Sequence, residues 1–195
     1  FNLGPNQWPT ELVGFKETMM GYYAEMLSLG KLLMSGLALS LELEDDYFSD
    51  FCHEPLTALK LLHYPPQPTN PNPGEKGCGA HTDFGGITIL MQDANGGLQI
   101  CTKNNSWIDA PPIPGTFIVN LADMISRWTN DKYQSTLHRV INSSGNERYS
   151  VPFFYNGNLT HKVVALDCCL ERGETPKYPP TTVEAHLREM YDRTY

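Results

Sequence analysis

The chain has 195 residues, 41% of them hydrophobic, and a formal net charge of −8. That is enough apolar material for one domain with a core, and the acidic balance argues against nucleic acid or an anionic membrane surface as the main partner. No apolar run reaches the roughly 18 residues of a membrane span, so no membrane partner is expected. The opening FNLGPNQWP lacks a methionine, a basic stretch and an apolar stretch, and reads as part of a longer chain. Cys52, Cys78, Cys101, Cys168 and Cys169 are odd in number and form no CxxC pair. Reduced thiols in a cytoplasmic protein are therefore expected, not a disulfide framework. The Asn-x-Ser/Thr triplets at Asn104, Asn142 and Asn158 read as turn chemistry.

Residues 10–51 form the first helical flank. Leu12, Phe15, Met19, Tyr22, Met26, Leu29, Leu33 and Leu37 recur at three- and four-residue steps and predict a helix over 10–42. Pro9-Thr10 marks its start, while Gly21, Gly30 and Gly36 weaken the case for an unbroken element. A short second helix is predicted over Glu44 to Phe51. ALKLLHY then reads as one strand and PPQPTNPNPGEKG as a loop. ITILMQ and LQICTK follow, and Asn95-Gly96 between them predicts a tight hairpin with positive φ angles. WIDAPP, TFIVNL, LHRVI, RYSVPFFY and KVVALD read as further strands, interrupted by a helical turn in MISRWTNDKYQ. Thr181 and Glu184 fit a capping box ahead of VEAHLREMYDRTY, the second helical flank at 181–195. Helices around seven or eight antiparallel strands at 57–160 predict a mainly β fold, a double-stranded β-helix (jelly-roll, cupin-like) core within one domain over 1–195.

The chemistry sits in GCGAHTDFGGITIL. Side chains at i and i+2 of an extended segment share a face, so His81 and Asp83 can hold adjacent positions on a metal. Alone, an HxD triplet is weak, because short motifs match by chance. His138, in the alternating STLHRVI, offers a second imidazole. Two histidines and one carboxylate form the facial triad of non-haem iron oxygenases, which leaves three positions open. In RYSVPFF, Arg148 and Ser150 repeat the i, i+2 logic and make a fork suited to a carboxylate.

Taken in order, HTD, the His138-Arg-Val strand and RYSVPFF resemble the isopenicillin N synthase-like family of 2-oxoglutarate- and Fe(II)-dependent dioxygenases. GGLQI, the connecting PPIPGTFIVNLADMISRWTNDKYQSTLHRV and LHYPP extend the likeness over roughly residues 58–156. The resemblance implies that His81, Asp83 and His138 are the catalytic iron ligands. It implies that Arg148 and Ser150 bind the distal carboxylate of 2-oxoglutarate, that Tyr64 reaches the co-substrate, and that Phe154 lines the substrate pocket. Implied cofactors are Fe(II), 2-oxoglutarate and O2, with ascorbate as a reductant. The implied reaction oxidises a small organic molecule, usually by hydroxylation, and releases succinate and CO2. Leu62 stands where the family often has asparagine, and Ala122 where it often has glycine. The family's usual N-terminal portion ahead of the segment matching residue 58 is absent from this stretch.

Two other readings stay open. Some relatives keep the triad and the Arg-x-Ser pair without using 2-oxoglutarate, and a non-catalytic jelly-roll module could retain a metal site. His53, His63, His161 and His186 have no partner at ligand spacing. His63 should face away from Tyr64, Arg139 should form a salt bridge on the face opposite His138, and Trp107 should pack without acting as a stacking platform.

Overall fold

The computed structural model describes residues 4–68, 77–142 and 144–194. The predicted loop at 65–77 therefore lies largely outside the described residues. A long helix, α1 (Phe15–Ser40), opens the fold. It begins at Phe15 and not at Thr10, because Gly14 takes a left-handed φ of 79° that a right-handed helix cannot continue. Its buried face is Met26, Gly30, Met34, Leu37 and Ala38, whereas Leu12 is exposed. The glycines do not break it. A Cβ on Gly30 would come within 2.5 Å of the Tyr155 ring, so this glycine is where the helix presses onto the sheet. The second helix, α2 (Ser49–Cys52), is shorter than predicted and carries the fully buried Phe51.

Nine strands and a helical turn follow among the described residues. They are β1 (Leu56–Leu59), β2 (Leu62–Tyr64), β3 (Cys78–His81), β4 (Ile87–Gln92), β5 (Leu98–Cys101), β6 (Trp107–Asp109), β7 (Ile118–Leu121), α3 (Asp123–Trp128), β8 (His138–Val140) and β9 (Arg148–Gly157). One sheet runs β1-β9-β4-β7, with β2 also on β9; the other runs β3-β8-β5-β6. All pairings between these strands are antiparallel, as a jelly roll requires.

Alternation sets the layers. On β9, Phe153 and Tyr155 turn toward α1 and join Ile87, Ile89, Met34 and Phe51 in the main core, while Arg148, Ser150, Pro152, Phe154 and Asn156 turn inward. The predicted single strand ALKLLHY is two strands, because Lys60 and Leu61 interrupt the ladder on β9.

The predicted hairpin at Asn95-Gly96 does not form. β4 and β5 belong to different sheets, and the segment between them crosses from one to the other. The positive φ falls on Gly97, whose backbone lies against the Ile141 carbonyl. Asn95 braces the crossing instead. Its backbone N–H donates to Asp93 Oδ1 at 2.8 Å, and its side-chain amide donates to the Glu147 carbonyl at 2.9 Å.

Beyond the barrel, KVVALD supplies only the two-residue strand β10 (Lys162–Val163). It pairs with β11 (Thr181–Thr182) in a separate sheet and passes into a 3-10 turn at Asp167–Cys169. The last helix is α4 (Val183–Thr194), capped by Thr182 and not Thr181: Ala185 N–H donates to Thr182 Oγ1 at 3.2 Å. Thr181 is held in the β11 ladder opposite Val163. Buried Ala122 leads into α3 and donates its N–H to the Gly86 carbonyl.

Of the asparagine triplets, the one at Asn158 makes a local turn, whereas Asn142 ties distant segments together. Asn142 is buried and donates to the Tyr64, Pro65 and Asn146 carbonyls. Asn158 Oδ1 accepts from the Thr160 N–H and hydroxyl. His63 stacks on Tyr149, its partner across the β2–β9 ladder. The Arg139 expectation fails. Its Nε donates to Gln99 Oε1 at 2.8 Å, and its guanidinium lies 4.0 Å from the Trp107 ring centroid, an internal contact in which Trp107 packs as expected.

Candidate metal centre and its cavity

The two sheets close around a cavity of about 1160 Å³, and all seven residues singled out in the sequence line it. Its centre is built by strand pairing. His81 ends β3 and His138 begins β8, and they are direct antiparallel partners, so their rings sit side by side with centroids 4.3 Å apart. Asp83 follows in the link from β3 to β4. Its Oδ1 lies 3.7 Å from Nε2 of each histidine, and one donor atom from each residue falls within 4.8 Å of the others.

The outward-facing ring nitrogens are already committed. His81 Nδ1–H donates to the Gly79 carbonyl at 2.8 Å, and His138 Nδ1–H to the Thr136 carbonyl at 2.9 Å. Each bond sets the tautomer that leaves Nε2 as a lone-pair donor toward Asp83, the support a metal-ligating histidine needs. The Cys78 thiol beside His81 is the main cause that pushes its imidazolium up to about 9. Burial works against the shift, and the Gly79 carbonyl, Cys78 charge and Asp83 add to it. Metal binding at Nε2 requires the unprotonated ring nitrogen that this tautomer provides. Two imidazoles and one carboxylate, converging with Nε2 free, fit a divalent first-row metal such as Fe(II).

Asn120, on β7, escaped the sequence reading. Its side-chain amide donates to Asp83 Oδ2 at 2.8 Å and so turns Oδ1 toward the histidines. A polar residue on the inward parity of IVNL was the available signal. Asn120→Ala is expected to lower metal affinity by about 10- to 100-fold with the fold intact. Titration against a chromophoric chelator measures this, and an unchanged affinity would remove Asn120 from the role.

Farther along the cavity, Arg148 is fully buried, and its Nη2 donates to Gln92 Oε1 at 2.9 Å. Nε and Nη1 find no hydrogen-bond partner among the described residues. Burial lowers its pKa, against the pull of Tyr64 and Asp93. Tyr64 pairs opposite Arg148 across β2 and β9, and its ring centroid lies 5.0 Å from the guanidinium. Burial and then the Cys78 charge raise the Tyr64 phenol, while Arg148 and Ser150 pull it down. Ser150 is buried, opposite both Leu62 and Gln92 in the ladder. Gln92 is the second missed residue. A buried guanidinium lacking partners on one side needs an anion there, and the fork of Arg148 with Ser150 fits a carboxylate.

This constellation is matched by a family model described as the 2OG-Fe(II) oxygenase superfamily, over residues 55–157. The chain belongs to this superfamily. The matched segment runs from the start of β1 to the end of β9 and contains both the triad and the fork. A 2-oxoglutarate-Fe(II) type oxidoreductase, hxnY of Emericella nidulans, is 44% identical over 199 residues, covering 100% of this chain and 57% of the relative. Another of the same description in Aspergillus fumigatus is 42% identical, covering 96% of this chain and 57% of its own length. This oxygenase chain thus spans a little over half the length of those relatives. Among solved structures, a full-length Neurospora crassa protein in complex with alpha-KG and thymine superposes with a TM-score of 0.92 at 35% identity. That match covers 98% of this chain and 61% of the Neurospora chain. No helix among the described residues is long and apolar enough to cross a membrane.

Proposed function

We propose that this chain carries a non-haem Fe(II)- and 2-oxoglutarate-dependent dioxygenase activity that oxidises, most simply by hydroxylation, a small organic molecule. In this reading His81, Asp83 and His138 hold the iron. Arg148 and Ser150 grip the distal carboxylate of 2-oxoglutarate, Tyr64 flanks that end, and Phe154 borders the substrate. Bound iron, with 2-oxoglutarate and O2, supplies the oxidative decarboxylation that yields succinate and CO2 and oxidises a substrate C–H bond. The protein's share is position and exclusion of water. Asp83 brings one negative charge to the metal, and Asn120 fixes its orientation. The fork fixes the far end of the co-substrate, so that its keto-acid end meets the triad in one pose.

The observation that carries this reading is the fully buried Arg148, two of whose three guanidinium nitrogens have no partner among the described residues, on the cavity that also holds the triad. Relatives named as 2-oxoglutarate-dependent enzymes support it. Five cysteines without a disulfide partner support a reducing, cytoplasmic setting. We read residues 1–195 as one domain, with 57–160 as its jelly-roll core and helical flanks at 10–51 and 181–195.

An anaerobic titration tests the proposal. Fe(II) and then 2-oxoglutarate are added to metal-free protein while the visible spectrum is followed. A weak charge-transfer band that needs both additions is the expected result. Iron binding with no band on adding 2-oxoglutarate would overturn the co-substrate reading.

A further inference from the structure

A second cation, Lys60, lies two residues along the ladder from the row that joins Ala58, Phe154, Thr88 and Asn120. Phe154 on β9 lies opposite Thr88 on β4, and Thr88 lies opposite Asn120 on β7, the residue bonded to Asp83. Phe154 therefore shares a lateral row with Asn120, which bonds Asp83 from the facing sheet. Lys60, just past β1, is tied by its N–H to the Pro152 carbonyl at 3.1 Å, and its Nζ reaches 5.1 Å from the Phe154 ring centroid. Lys60 lines the same cavity and makes no ion pair among the described residues.

Charge then decides what the cavity accepts. Asp83 is the only carboxylate among its described lining residues, and Lys60 and Arg148 are the only fixed cations. This step rests on the proposed function. A divalent metal on Asp83 and a dianionic co-substrate on Arg148 cancel one another's charges, which leaves Lys60, an exposed side chain that lines the cavity, as the cation free to meet a substrate anion. Elsewhere the same cavity is lined by the apolar side chains of Leu56, Ala58, Phe84 and Leu187. We propose that Lys60 is a specificity-determining residue that pairs with an acidic group, such as a carboxylate, on a small substrate whose apolar body lies against Phe154. The ring holds the ammonium over its face and restricts where the partner anion can sit. The substrate class is accordingly small organic acids.

The test uses protein loaded with Mn(II), which is redox-silent here, and saturated with 2-oxoglutarate so that Arg148 is occupied. Calorimetry first records 2-oxoglutarate binding in each sample. It then compares matched acid and amide pairs: benzoate with benzamide, phenylacetate with phenylacetamide, and 1-naphthoate with 1-naphthamide. In at least one pair the acid is expected to bind about tenfold more tightly, the worth of a hydrogen bond to a charged group. Lys60→Met should remove that preference and Lys60→Arg should keep it, with 2-oxoglutarate binding unchanged in both. Equal binding of acid and amide, a preference that survives Lys60→Met, or no binding of any pair while 2-oxoglutarate binds would each overturn the proposal. A wild-type sample that takes up no 2-oxoglutarate overturns the co-substrate reading itself, and the charge argument falls with it.

Discussion

Asp83→Ala is expected to abolish metal-dependent turnover, with succinate formation falling by about 1000-fold or more, roughly 4 kcal/mol of lost transition-state stabilisation. Asp83 is the only anionic donor in the triad, and its Oδ1 is equidistant, at 3.7 Å, from both histidine Nε2 atoms. Removing it leaves two neutral imidazoles facing a doubly charged ion. It also leaves the Asn120 amide without its acceptor. The fold should survive, because the backbone bond from Asp123 N–H to the Asp83 carbonyl does not involve the side chain. Metal content after gel filtration, together with a succinate assay, measures the effect. Full activity in a metal-stripped Asp83→Ala protein would sink the assignment of the triad.

Arg148→Met is expected to separate stability from function. Arg148 is fully buried: 0% of its surface is accessible, no carboxylate pairs with it and two of its guanidinium nitrogens lack a partner among the described residues. Replacing an incompletely compensated buried charge by an apolar side chain of similar length is neutral or stabilising, by up to about 4 kcal/mol. The ligand-free variant should therefore melt no lower than the wild type. Its response to 2-oxoglutarate should vanish. Losing one partner of a buried charge pair costs about 2–5 kcal/mol, which raises the dissociation constant by roughly 30-fold at the least. Thermal melting with and without 2-oxoglutarate reads both effects. The wild type should gain about 2.7 kcal/mol at one hundred times its dissociation constant, and the variant close to none. A variant that keeps the wild-type gain would take Arg148 out of co-substrate binding.

Much of the site was legible because its chemistry is local in sequence. HTD and RYS place their side chains by the two-residue period of extended chain, and each lies within a few residues of a strand end. His138 was legible through the alternation of STLHRVI. Asn120 and Gln92 were not, since a single amide in an apolar strand shows its purpose only once the side chain it bonds is known. Lys60 carried no signal in the sequence, and its approach to the Phe154 ring is seen only once β1 is paired with β9.

The fold divides along the same line. By itself the sequence determined a mainly antiparallel jelly roll with helical flanks and pointed to the proposed metal-ligand set and carboxylate fork, because period-two alternation and short motifs are written within single segments. Tertiary structure alone decided that Asn95-Gly96 bridges two sheets, that ALKLLHY breaks at Lys60, that Gly30 is a contact point on Tyr155 and that Thr182 caps the last helix. Each of these depends on which distant strand or ring a backbone group meets, and that partner is chosen by packing of the whole barrel, not by local preference.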